Sequence, residues 1–285
     1  MLGTDVVNVD DMDAIVNAFN NDDMETFMEA SGQSGNSNRQ VGLPRLNINY
    51  DAETEDGRNL PRGSWKMYLD GRFIYAEEVH VQFILRTYEY SVWDQEAGSF
   101  TAKSVQKPTL NGMFPDTLGG NKCGRLTREE EDALSKDDIN YLNSRAVVCN
   151  QVMYGKITGL FKTADGEQVQ VANQPMVAYF KRSGFKPISD FIASLSKQKK
   201  LMQKCLVSLT TAKQKKGSVT FWIPVPTLYQ EVTILDEDKE LMAMFAETVK
   251  AHNESVMNEH REAVKLIADD DDIDLAADFD DANAA

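Results

Sequence analysis

The spacing of apolar residues changes several times along this chain, and each change marks a predicted element. Val9, Met12, Ile15, Val16, Phe19, Met24, Phe27 and Met28 recur at roughly helical spacing. They predict an acidic helical segment over residues 1–30, broken near Asn20-Asn21-Asp22. The low-complexity stretch SGQSGNSNRQVG (31–42) reads as a flexible linker, and the folded body is predicted to begin near Leu43.

From Leu43 the period shortens. LPRLNINY opens with a strand, and SWKMYL and RFIYAEE form a hairpin across Asp70-Gly71, a pair suited to the positive φ angles of a tight turn. VHVQFILRTYEYSVWD (79–94) is dense in β-branched and aromatic residues and predicts one long strand. SFTAKSV returns after Gly98. Residues 111–126, with four glycines and a proline, read as an irregular loop. Thr127 with Glu130 forms a capping box for a short helix. RAVVCNQVMYGKITGLFK (145–162) and QVQVANQPMVAYFKRS are strands joined at Asp165-Gly166. PISDFIASL starts a helix at a proline, and CLVSLTTAKQKKGSVTFWIPV is a hairpin with a lysine-rich tip. A long helix follows over 236–268, and the acidic remainder (269–285) is expected to be disordered.

The pattern therefore predicts an α+β chain that is mainly β. Residues 43–235 form the β-rich domain, with a few peripheral helices and a long C-terminal helix. Antiparallel strands with turns every 8–15 residues suggest a small barrel or sandwich. No apolar run reaches the ~20 residues of a membrane span. The N-terminus has no basic region and no long apolar core, so no secretory signal is expected. Cys123, Cys149 and Cys205 are far apart and odd in number, which points to a reducing compartment. His80, His252 and His260 show no metal-ligand spacing.

Charge alters the picture. The chain carries −15 overall, yet residues 1–30 hold eight acids and no base, and residues 269–285 hold eight aspartates and no base. Without those two ends the body is nearly neutral, at +1. Within it, residues 181–216 carry ten Lys or Arg and one acid, Asp190. A cluster that dense attracts polyanions whatever the total charge; a solvated lysine face is the plain alternative.

Candidate chemistry follows from what accompanies that charge. No phosphate-binding loop, nucleophile elbow or HExxH motif is present, so no enzyme, cofactor or metal is expected. Asp116, Asp137 and Asp138 could bind a divalent ion, but helix capping or loop solvation explains them equally well. Basic residues do alternate with aromatics on predicted strands. Arg86, Tyr88 and Tyr90 fall on one strand face. Lys181, Arg182, Phe185 and Lys186 lie together, followed by Lys197, Lys199 and Lys200. Lys213, Lys215 and Lys216 lead into Trp222. Cations that follow phosphates beside rings that stack on bases are what sequence-tolerant single-strand binding requires. Core packing is the alternative for any one ring.

The tail has its own reading. Asp269, Asp270, Asp271, Asp272, Asp274, Asp278, Asp280 and Asp281, with Phe279 as an apolar anchor, form a tethered polyanion. It could compete for a basic groove or meet other proteins; a solubilising tail is the simpler alternative.

The β-rich body, the basic–aromatic cluster and the Asp-rich tail resemble the single-stranded DNA-binding proteins of tailed bacteriophages, and the stretches LPRLNINYDAE, YEYSVWD, NKCGRL and YFKRSGFKPI are similar to those of a group of phage proteins from replication-gene neighbourhoods. The resemblance implies an elaborated OB-like antiparallel barrel that coats unwound DNA in phage replication or recombination, in the host cytoplasm. It implies phage replication proteins as partners of the acidic tail. Whether the protein is a homodimer stays open. Two other readings also stay open: an acidic interaction or DNA-mimic protein, and a Mg-dependent phage recombination nuclease.

Overall fold

A computed structural model describes residues 42–94 and 97–282, with backbone alone for 269–282. The expected N-terminal helical segment and linker (1–42) lie outside the described residues, apart from Gly42.

Among the described residues, five strands precede the first α-helix. They are β1 (Arg45–Ile48), β2 (Trp65–Leu69), β3 (Arg72–Ala76), β4 (Val79–Asp94) and β5 (Ser99–Lys103). Asp70 and Gly71 take φ of +49° and +79°, as the predicted β2–β3 turn requires. Helix α1 (Arg128–Ala133) begins at the Thr127–Glu130 capping box. A second helix, α2 (Ile139–Ala146), was not foreseen; Asp138 caps it by accepting from the Asn140 N–H at 2.8 Å. Two long strands follow, β6 (Val148–Lys162) and β7 (Gln168–Lys181), then α3 (Phe185–Lys197). The hairpin β8 (Cys205–Lys216) and β9 (Val219–Glu231) leads into α4 (Asp236–Ala282).

Among the described residues strand makes up 43% and helix 31%, so the fold is mainly β. The nine strands form a single sheet in the order β3-β2-β1-β7-β6-β4-β8-β9, with β5 paired to β4. It is mixed rather than wholly antiparallel, because β1 pairs in parallel with β7. A parallel neighbour needs a long crossover, and more than a hundred residues separate these two strands, so no local pattern announces the pairing. A single bridge, Tyr75 opposite Lys162, also links β3 to β6.

Helices cover both sides of the sheet. On β6, Met153 points one way and its neighbours Val152 and Tyr154 the other. Met153 joins Phe83, Ile157, Phe161 and Met176 against Ile188, Ile192 and Leu195 of α3. Val152 and Tyr154 pack with Ile84 against Phe245 of α4. Each such side chain contributes ~1.5–3 kcal/mol on burial.

Helix α4 is anchored by polar contacts as well. Lys156 Nζ meets Asp238 Oδ1 at 2.5 Å, and both side chains are buried. Asn253 pairs with the Gln106 backbone in both directions, at 2.6 and 3.0 Å. The helical backbone runs on to Ala282, past Ala268, where the sequence pattern places the helix end. Leu275, Ala276 and Ala277 are strong helix formers in that stretch. The side chains of the tail residues from Asp269 to Asp281, Phe279 among them, lie outside the described residues.

Candidate nucleic-acid interface

Where α3 begins, a cleft of about 840 Å³ opens beside the ends of β6 and β7. Five cations line it: Lys122, Arg125, Arg145, Arg182 and Lys186. Tyr90 and Phe185 supply rings, Val147, Val148 and Cys149 an apolar wall, and no carboxylate is among the described lining residues. Not all five charges are free. Arg125 and Arg145 approach Glu131 at 3.3 and 3.5 Å, and Lys186 pairs with Asp190 at 2.7 Å. Among the described residues, neither Lys122 nor Arg182 meets a carboxylate at ion-pair distance.

Backbone geometry raises these two cations into the cleft. Arg182 leaves β7 at φ +49° and opens a 3-10 turn that runs straight into α3. Lys122 sits at φ +55°. Left-handed backbone is unfavourable for residues with a side chain and collects at functional sites.

The expected triad of β4 divides. Tyr90 lines the cleft, half-buried, edge-on to Phe114 at 5.1 Å between ring centres, with Lys122 Nζ 5.8 Å from its own centre. Burial, aided by the Cys149 thiol, raises its hydroxyl to about 12. Tyr88 is only 6% exposed and packs with Val105, Phe114 and Val256. It is a core residue, and its ring is not open to a base. Arg86 lies half-buried with its guanidinium 4.8 Å from the Tyr88 ring, and burial lowers its pKa. The strand face predicted for all three is correct, but the loop carrying Phe114 covers part of it.

The β8–β9 hairpin forms a second arm. Beyond Leu209, the pairing of β8 recorded among the described residues is with β9, and Lys213, Lys215 and Lys216 are exposed near the turn at Gly217. Lys213 stands opposite Trp222. Trp222 is half-buried, edge-on to Tyr50 at 5.7 Å, and lies against Gly63. A Cβ on Gly63 would collide with the indole at 2.1 Å, so that residue must be glycine. Two positions on, Pro224 packs against Gly184 at the start of α3. The arm, Trp222 and the cleft therefore adjoin one another.

The remaining lysines are more scattered. Lys181 lies at the end of β7 beside the cleft, where partial burial and the nearby Arg182 and Arg45 lower its pKa. Lys197 ends α3, roughly 16 Å along its axis from Lys186, and Lys199 and Lys200 follow just past it. Lys200 is paired with Glu231 at 2.9 Å.

Sequence reasoning missed Lys122, Arg125 and Arg145. They are isolated in a glycine-rich loop and on α2, and no run of basic residues flags them. Of the three carboxylates that could bind a divalent ion, Asp138 caps α2 and Asp116 accepts three backbone N–H groups. Among the described residues no group of three or more His, Cys, Asp or Glu could hold a metal ion. Among them, too, no helix is long and apolar enough to cross a membrane.

The chain matches no family model, no curated protein and no solved structure. Its function must be argued from the site itself.

Proposed function

We propose that this protein binds single-stranded DNA, largely without regard to sequence, in the cleft between Tyr90 and α3 and along the β8–β9 arm. One observation carries the reading: five cations and two rings line one open cleft in which no described residue contributes a carboxylate. Phosphates need the cations, and unpaired bases need an apolar face. A duplex reader would more often present a basic helix to the major groove. Here the cations without a carboxylate partner among the described residues instead stand on turns and on a hairpin.

The strand would run from Lys213, Lys215 and Lys216, past Trp222, to Arg182, Lys186 and Phe185, and end beside Tyr90. The acidic C-terminal stretch would compete for the same cations at low salt and meet replication proteins once displaced. The same reading takes the body as an elaborated OB-like fold. In its support, the Tyr75–Lys162 bridge joins the ends of the five-strand path β3-β2-β1-β7-β6, and five is the strand number of that barrel.

The test is a charge-removal pair. K122A/R182A is expected to weaken binding to an oligo-dT strand, most at low salt. Alanine at Lys136, an exposed lysine outside the cleft, is the control. Equal affinity of both variants would remove the cleft from the account.

A further inference from the structure

The loop LGGNKCG looks irregular in sequence but is tightly built. Lys122, Cys123 and Gly124 take φ of +55°, +54° and +78°, three successive residues in the left-handed region. Two of the three carry side chains, and such backbone persists only where its surroundings hold it.

Asp116 does the holding. It is fully buried, and both carboxylate oxygens are used. Oδ1 accepts from the N–H groups of Leu118 and Gly120, each at 3.0 Å. Oδ2 accepts from the Cys123 N–H at 2.6 Å, within the left-handed turn. Helix α4 fixes the same residue from behind, with His260 Nδ1 2.9 Å from the Asp116 carbonyl oxygen. Gly119 lies so close to α4 that a Cβ would stand 3.1 Å from the Val264 nitrogen.

The turn decides where three side chains go. Cys123 points inward, its thiol 3.4 Å from the Tyr90 carbonyl oxygen. Lys122 points over the Tyr90 ring. Arg125, one residue past the turn, enters the cleft and donates to the Ser144 carbonyl at 2.9 Å.

We propose that Asp116 is the positioning residue of the cleft: its carboxylate, gripping three backbone N–H groups, locks a left-handed turn that presents Lys122 and Arg125 to the phosphates. The proposal rests on the reading of the cleft as a single-strand site. Asp116 touches no phosphate itself and acts only through the turn.

A double-mutant cycle tests it, with binding to an oligo-dT strand measured at several salt concentrations. K122A/R125A is expected to reduce the log–log salt slope by about 1.4, two contacts at ~0.7 each. D116N keeps the size of the side chain but has only one acceptor oxygen, so at least one of the three backbone N–H groups loses its partner and the turn is loosened. It is expected to reduce the slope by a similar amount and to add almost nothing to K122A/R125A. The loss caused by K213A/K215A/K216A on the β8–β9 arm, which the Asp116 turn does not position, should be the same with or without D116N. If D116N does not fold, G124A strains the same turn without a clash, since a Cβ there meets nothing within 4 Å, and it should give the same pattern. A D116N protein with the wild-type slope, a loss fully additive to K122A/R125A, or an arm contribution eroded in parallel would each overturn the positioning role. If K122A/R125A itself binds as wild type, the cleft reading falls and takes this proposal with it.

Discussion

Tyr90 and Cys149 stand directly opposite each other on β4 and β6, and both line the basic cleft. Cys123 and Cys205 are buried, so Cys149 is the one half-buried thiol of the three. Burial raises its pKa, so a maleimide should label it slowly, and faster above pH 8. A bound oligo-dT strand is expected to slow that labelling severalfold, read by peptide mass spectrometry, while the buried thiols stay silent. Unchanged labelling in saturating strand would mean the strand lies elsewhere.

Tyr88 and Tyr90 share a strand face but should respond differently to substitution. Y90A should cost ~1–3 kcal/mol of single-strand binding, as for a stacked base, with a small change in melting temperature. Y88A opens a hole beneath Phe114 and Val256 and should cost about 3 kcal/mol of stability. Melting curves and binding isotherms on both variants decide the matter. A Y90A protein that is destabilised but binds normally would make Tyr90 a core ring as well.

That pair also marks the limit of what the chain reveals on its own. The bounds of β4, the Asp70-Gly71 turn and the Thr127 cap were legible because each depends on neighbours in sequence. The burial of Tyr88 depends on Phe114 and Val256, far away along the chain, and nothing local signals it. Helix α2 escaped notice because Ile139 and Leu142 stay exposed, which leaves little amphipathic pattern to read. The cluster at 181–216 drew attention to Arg182, Phe185 and Lys186, which do line the cleft. It also drew in Lys197 and Lys199, which the length of α3 carries away from it. Lys122, Arg125 and Arg145 reach the cleft through a left-handed turn and a missed helix, so their positions in sequence gave no clue.

The arm provides a separate prediction. Lys213, Lys215 and Lys216 are exposed. Replacing all three with Ala should leave the melting temperature within about a degree. It should flatten the salt slope for single strands by ~2 units, three contacts at ~0.7 each. An unchanged slope would reduce the tip to a solvated turn.

A pH effect follows from Glu89, buried beneath α4. Gln106 donates to it at 2.9 Å, Asn150 at 3.4 Å, and His252 lies 3.8 Å away. Burial raises its pKa, while His252, Gln106, Lys103 and Arg45 offset part of that rise. A carboxyl raised in the folded state contributes most below its unfolded pKa of ~4.3, and that contribution is lost as pH climbs through the folded value. E89Q does not titrate there. The melting-temperature advantage of wild type over E89Q should therefore narrow between pH 4 and pH 7. A widening gap would give the shift the opposite sign.

The most direct test of single-strand binding is fluorescence anisotropy of labelled oligo-dT, and of a duplex of equal length, across a salt series. The account predicts tight binding of the single strand at low salt. Affinity should fall linearly in log–log form with a slope of at least about −2, as for three or more neutralised phosphates. Duplex binding should be clearly weaker throughout. An affinity that ignores salt, or equal affinity for duplex and single strand, would contradict it.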